Sequence, residues 1–154
     1  MREGLDFKMG SKTGSKLGRS ATHLLHRAGQ CATDIFQDEA SSSGLTPRQF
    51  AVLMTIADEE GLTQTDLVER TGIDRSTLAD IVARLLRRGL IQRRRAKEDA
   101  RAYAIKLTAQ GWKGLREAEP AAVAADQRIL SALPPSKRQE FLDSLDLIVT
   151  STRK

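Results

Sequence analysis

Residues 62–111 read LTQTDLVERTGIDRSTLADIVARLLRRGLIQRRRAKEDARAYAIKLTAQG, and this stretch decides the fold. Thr63 or Thr65 can cap a short helix that runs through Asp66, Leu67, Val68 and Glu69 to Arg70, and Gly72 stops it. Asp74 is then placed to cap a second helix. Its Leu78, Ile81, Val82, Leu85 and Leu86 recur at three- and four-residue spacing, as one buried helical face requires, and Gly89 ends it. Two short helices joined by a tight glycine-containing turn make a helix-turn-helix. The period then changes. Residues 90–95 and 102–107 are two short strand candidates, and Tyr103, Ile105 and Leu107 share one face of the second. Residues 96–100 between them hold no Gly or Pro, so an open loop is expected instead of a tight hairpin. A hairpin placed after a helix-turn-helix is a wing.

Upstream, Leu17, Ala21, Leu24, Leu25, Ala28, Cys31, Ala32, Ile35 and Phe36 trace a helical stripe that Ser41 to Gly44 breaks. Thr46, Pro47 and Gln49 spell an N-cap, a proline at the first helical position and a capping box for the next helix, with Phe50, Val52, Leu53, Ile56 and Ala57. Downstream, Thr108 caps a long helix that Pro120 is expected to bend or interrupt and Pro134-Pro135 to end. A last helix carries Phe141, Leu142, Leu145 and Ile148. The fold class is mainly α with a small β-wing. Residues 1–16, rich in Gly, Ser and Lys without periodicity, read as a flexible arm. Residues 17–154 read as one domain with its winged core at about 46–111.

The 154 residues are 40% hydrophobic and 29% charged, as in a globular protein. No stretch reaches the ~20 apolar residues of a membrane span, and the N-terminal residues lack a signal peptide's apolar core. One cysteine, Cys31, leaves no intrachain disulfide, and the expectation is a cytoplasmic protein without membrane association. The net charge of +5 is unevenly spread. Residues 28–83 hold three basic and ten acidic side chains, whereas 84–101 hold eight basic against two acidic. So dense a basic stretch is the footprint of a polyanion binder, although a solvated face or a membrane-surface patch has the same composition. With six aromatic residues in all, stacking platforms for single strands or RNA are not provided for, and duplex DNA is the better partner.

Several short motifs together resemble the winged helix-turn-helix core of MarR-family bacterial transcription regulators. They are Leu-Thr-Gln-Thr-Asp-Leu from Leu62, Asp74-Arg-Ser-Thr-Leu, Arg88-Gly-Leu-Ile, Asp99-Ala-Arg101 and Leu107-Thr-Ala-Gln-Gly111. The resemblance covers about Leu17 to Thr150. It implies a homodimer on a pseudo-palindromic operator, with recognition helices entering major grooves roughly 34–36 Å apart. It also implies dimerisation helices at about 17–40 and 108–151. Leu115, Ile129, Leu130, Leu133, Phe141, Leu145 and Ile148 are candidates to pack across the axis, or else within one subunit.

With the apolar stripe of the recognition helix turned inward, Arg75, Ser76, Thr77, Asp80 and Arg84 remain to face DNA. Arg75 or Arg84 can give a bidentate contact to guanine. Ser76 and Thr77 suit phosphates or base edges, or simply cap the helix. Arg101 on the wing suits a narrow, electronegative minor groove. Asp99, by resemblance, braces the wing by pairing with an arginine of the wing or the recognition helix. Arg94 and Lys97, beside Arg93 and Arg95, are candidate phosphate contacts, and their alternation along a strand keeps them from all facing one way.

The resemblance further implies release from DNA by a small ligand. His23, His26 and Arg27, beside Arg19 and Gln30 on the first helix, can receive an anion, so an aromatic acid or its coenzyme A thioester is expected; a solvated helix flank is the plainer reading. Cys31 allows a single-cysteine redox sensor instead, although in an apolar stripe a cysteine usually acts as a small hydrophobe. No metal site, cofactor or catalytic constellation can be written. A winged-helix module that binds protein is the alternative from another class, and such modules tend to lack the wing arginine and the basic stretch present here.

Overall fold

A computed structural model describes residues 15–95 and 103–152, and every structural statement below concerns these. After a single 3-10 turn at Leu17–Arg19 the chain forms α1 (Ala21–Glu39), α2 (Pro47–Asp58), α3 (Gln64–Thr71), α4 (Arg75–Arg87), β1 (Ile91–Arg95), β2 (Tyr103–Leu107), α5 (Ala109–Leu130) and α6 (Pro135–Ser151). It is mainly helical with one two-stranded antiparallel sheet, the winged helix-turn-helix order. No described helix is long and apolar enough to cross a membrane.

Local chemistry sets the boundaries. Thr46 accepts from the Gln49 amide while its own amide donates to Gln49 Oε1, and Pro47 occupies the first turn, where its missing N–H costs nothing. Thr63 and Asp66 make the same reciprocal box at α3, which resolves the choice between Thr63 and Thr65. Gly72 closes α3 at φ 71°, left-handed backbone that a side chain would disfavour.

Leu53, Leu67, Leu78, Leu85, Ile105 and Leu115 are the largest wholly buried side chains, bringing α2, α3, α4, β2 and α5 to one centre. Burying each leucine stabilises the fold by about 1.5–3 kcal/mol. The strands pair Ile91 with Leu107, Arg93 with Ile105 and Arg95 with Tyr103. On its other side β2 is tied to the segment before α3, where the Ile105 amide donates to the Leu62 carbonyl at 2.9 Å. Ile105 and Leu107 are buried, but Tyr103, expected on the same inward face, is 47% exposed: it sits at the strand's outer end, beyond the core.

α5 runs through Pro120 without a break, contrary to the expected interruption. Pro120 removes only the bond to the Arg116 carbonyl, and both residues are exposed, where water can replace it. Nor do the two prolines end α5. It stops at Leu130, and Pro134 and Pro135 instead open α6. Arg138 reaches back from α6, its Nε donating to the carbonyls of Leu130 and Leu133 at 3.0 and 3.1 Å.

A smaller cluster of Phe36, Ala40 and Ala125 fixes the second half of α1 to α5, with the Phe36 ring tilted against Phe50 at 5.7 Å between centroids. Arg128 bonds Glu39 at 3.1 Å across the same contact. The first half of α1 has no such cover: Leu24 and Leu25 are exposed. α6 buries no residue, and its Leu142, Leu147, Ile148 and Val149 are all exposed. Leu115, by contrast, is 1% exposed inside the winged core, so of its two readings it takes packing within one subunit.

Candidate nucleic-acid interface

Asp74 governs the start of α4. It accepts from the Thr77 amide at 3.0 Å and from Ser76 Oγ at 2.8 Å. The hydroxyl and amide of Thr77, then the hydroxyl of Ser76, hold its carboxyl down at about 2. Ser76 and Thr77 thus both serve the cap, which is the plainer of their two readings. Asp66 at the head of α3 is likewise lowered, by the Thr63 amide first and its hydroxyl second.

Leu78, Ile81, Val82 and Leu85 are buried beneath α4, which turns Ser76, Asp80, Arg84 and Arg87 outward. Arg75 is exposed at the first turn, its Nη1 3.5 Å from Thr65 Oγ1 on α3. Arg84 Nε donates to Asp80 Oδ2 at 3.0 Å. On β1 Arg93, Arg94 and Arg95 are all exposed. Arg94 lies opposite Ala104 on the sheet face away from the Arg93–Ile105 and Arg95–Tyr103 pairs, so the run does alternate. The structure therefore gathers Arg75, Ser76, Thr77, Asp80 and Arg84 on one helix and Arg94 on the adjoining strand. Lys97, Asp99 and Arg101, the remaining wing candidates, lie outside the described residues.

Two features of this surface escaped the sequence reading. Arg87 shares the outward face of α4, and the helical register alone could have found it. Arg88 caps α4 and donates from Nη1 to the Gly44 carbonyl at 3.0 Å, tying the recognition helix to the α1–α2 loop. Behind it Thr108 Oγ1 donates to the Gly89 carbonyl at 2.6 Å and accepts from the Gly111 amide, which joins the α4–β1 turn to α5.

The ligand candidates sit together on the uncovered half of α1. His26 and Arg27 are exposed, and His23 is half-buried, with its amide on Ser20 Oγ. Cys31 is also exposed: none of the described residues of the chain covers this part of the stripe. Among the described residues no group of three or more His, Cys, Asp or Glu is arranged to hold a metal ion.

Residues 43–102 match the model of the MarR family. The transcriptional regulator HosA of Escherichia coli is 34% identical over 82% of this chain and 92% of its own length. PcaV of Streptomyces coelicolor, solved with its natural ligand, superposes with a TM-score of 0.83 at 30% identity, over 90% of this chain and 98% of PcaV. Bordetella bronchiseptica BpsR, whose DNA binding is regulated by 6-hydroxynicotinic acid, and the repressor CouR, bound to a 23-mer DNA duplex, both give 0.80, at 30% and 27% identity. Each covers 88% of this chain and 96% of the other. These relatives are regulators and not enzymes. On motifs, fold and relatives together, the chain belongs to the MarR family of transcriptional regulators.

Proposed function

We propose that the protein is a repressor that binds duplex DNA as a homodimer on a pseudo-palindromic operator and is released by a small anionic aromatic ligand. The observation that carries this reading is the outward face of α4, with Arg75 and Arg84 exposed on it and the arginines of β1 exposed on the strand that follows. In the proposal Arg75 and Arg84 read bases, helped by Ser76, Thr77 and Asp80. Arg94 and Lys97 hold phosphates, and Arg101 enters the minor groove from a wing braced by Asp99. The exposed apolar side chains of α1 and α6 support the dimer, because Leu24, Leu25, Leu147 and Ile148 would otherwise face water. His23, His26 and Arg27 would receive a carboxylate. The aromatic acid that regulates BpsR supports this ligand class; a coenzyme A thioester of such an acid has no free carboxylate and would present its phosphates to the same cations.

Footprinting on the gene's own upstream region tests the reading. The expected result is two protected half-sites one helical turn apart, lost on adding 6-hydroxynicotinate or a related aromatic acid or thioester, with loss abolished by Arg27→Ala. Protection without two-fold spacing would count against the dimer, and release unchanged by Arg27→Ala would remove the ligand site.

A further inference from the structure

The outward face of α4 carries one acid among its bases. Asp80 lies one turn beyond Ser76 and one turn before Arg84, opposite the buried Leu78–Leu85 stripe. Its carboxylate faces the side on which phosphates would approach, and it lowers affinity for any duplex, whatever the sequence. Stability does not account for it either. The Asp80–Arg84 pair is more than half exposed on both sides, where such pairs contribute little. α4 is already capped by Asp74 and anchored by four buried side chains.

Geometry supplies the reason. Asp80 Oδ2 engages the Nε edge of the Arg84 guanidinium at 3.0 Å. Among the described residues nothing else bonds that guanidinium, and none of them occupies its Nη1/Nη2 end. That end is a two-pronged donor matching the O6 and N7 acceptors of guanine in the major groove. We propose that Asp80 is a specificity-determining residue that positions Arg84 to read one guanine in each half-site. Its charge penalty falls on every duplex alike and is offset only where that guanine receives Arg84. The inference rests on the DNA-reading role proposed above and adds to it which base is read and how the wrong base is refused. Asp80 acts through Arg84; it is a positioning residue.

The test is selection from a random duplex library with the full chain at physiological salt, for the wild type, Asp80→Ala and Asp80→Glu, followed by anisotropy on the selected and a scrambled duplex. The wild type should recover a two-fold motif with a G·C pair at a fixed position in each half. Asp80→Ala should keep the rest of the motif, lose preference for that pair by about tenfold, and bind the scrambled duplex more tightly. Asp80→Glu, which can re-form the pair at the same helical spacing, should restore the preference. A merely structural role would weaken both duplexes alike and leave base preference untouched, and that result would overturn the inference while the DNA-reading role stood. A wild-type chain that recovers no motif would overturn the DNA-reading role and this inference with it.

Discussion

Arg88 and Gly44 lie forty-four positions apart in the chain, yet Arg88 Nη1 donates to the Gly44 carbonyl at 3.0 Å, with Nη2 3.4 Å from the neighbouring Ser43 carbonyl. The end of the recognition helix is thereby pinned to the loop that follows α1. Ser43 completes the arrangement, its hydroxyl donating to the Ala40 carbonyl and accepting from the Leu45 amide. Arg88→Ala should cost only about 1 kcal/mol, because the side chain is exposed. Amide hydrogen exchange at Ser43 to Leu45 should accelerate, with α2 unchanged. Unaltered exchange in the loop would mean the bond does not hold it.

Gly111 is required by contact. A Cβ there would overlap the Leu90 carbonyl oxygen and crowd Leu107 Cδ2 at 3.3 Å, where the first turn of α5 crosses the start of the wing. The obstacle is backbone, which the Thr108 amide already bonds at 3.0 Å, so it cannot swing aside cheaply. Gly111→Ala should destabilise the chain by roughly 1–3 kcal/mol in denaturant titration, whereas Gly114→Ala, with only Leu90 Cδ2 at 4.0 Å, should be near neutral or stabilising.

Asp74 gives stability a defined acid dependence. Its folded carboxyl, at about 2, lies below the ordinary 3.8, so as pH falls the unfolded chain takes up the proton first. The stabilisation is complete above about 4, declines between there and about 2, and is absent below. Denaturation midpoints of the wild type and Asp74→Ala should therefore differ by a constant amount above pH 4 and converge toward pH 2. A gap independent of pH would show that the carboxylate's charge is not what caps α4.

The bare faces of α1 and α6 predict self-association. Sedimentation velocity at micromolar concentration should give twice the 16.9 kDa chain mass, and Leu25→Asp or Ile148→Asp should shift the protein to a single chain that remains folded. Folding is expected to survive because neither residue belongs to the winged core. Monomers at all concentrations in the wild type would contradict the proposed dimer.

What the sequence made legible was local. Thr46 with Gln49, Asp74 as a cap and Gly72 as a stop are signals in which donor and acceptor lie within a few residues, and all three stand in the structure as read. The winged order followed from the switch between helical and strand spacing. What stayed hidden depends on distant partners. Nothing around Arg88 announces a carbonyl in another loop, and nothing around Gly111 announces the Leu90 backbone. Leu115 and Cys31 show the same limit from the other side: a helical stripe shows that a face is apolar, but not whether it is covered by its own chain. Pro120 does not interrupt α5, because it lies on an exposed face where water can replace the one lost bond. The candidate site was half legible, since exposed donors follow from subtracting the buried stripe, whereas the Asp80–Arg84 pairing needed coordinates.

The most direct measurement of the central claim is fluorescence anisotropy with a labelled duplex from the gene's own upstream region, titrated against a scrambled duplex at physiological salt. The account predicts at least about a thousandfold preference for the upstream duplex, the scale of specific recognition. Equal and steeply salt-dependent binding to both would contradict it, reducing the arginines of α4 and β1 to an electrostatic patch.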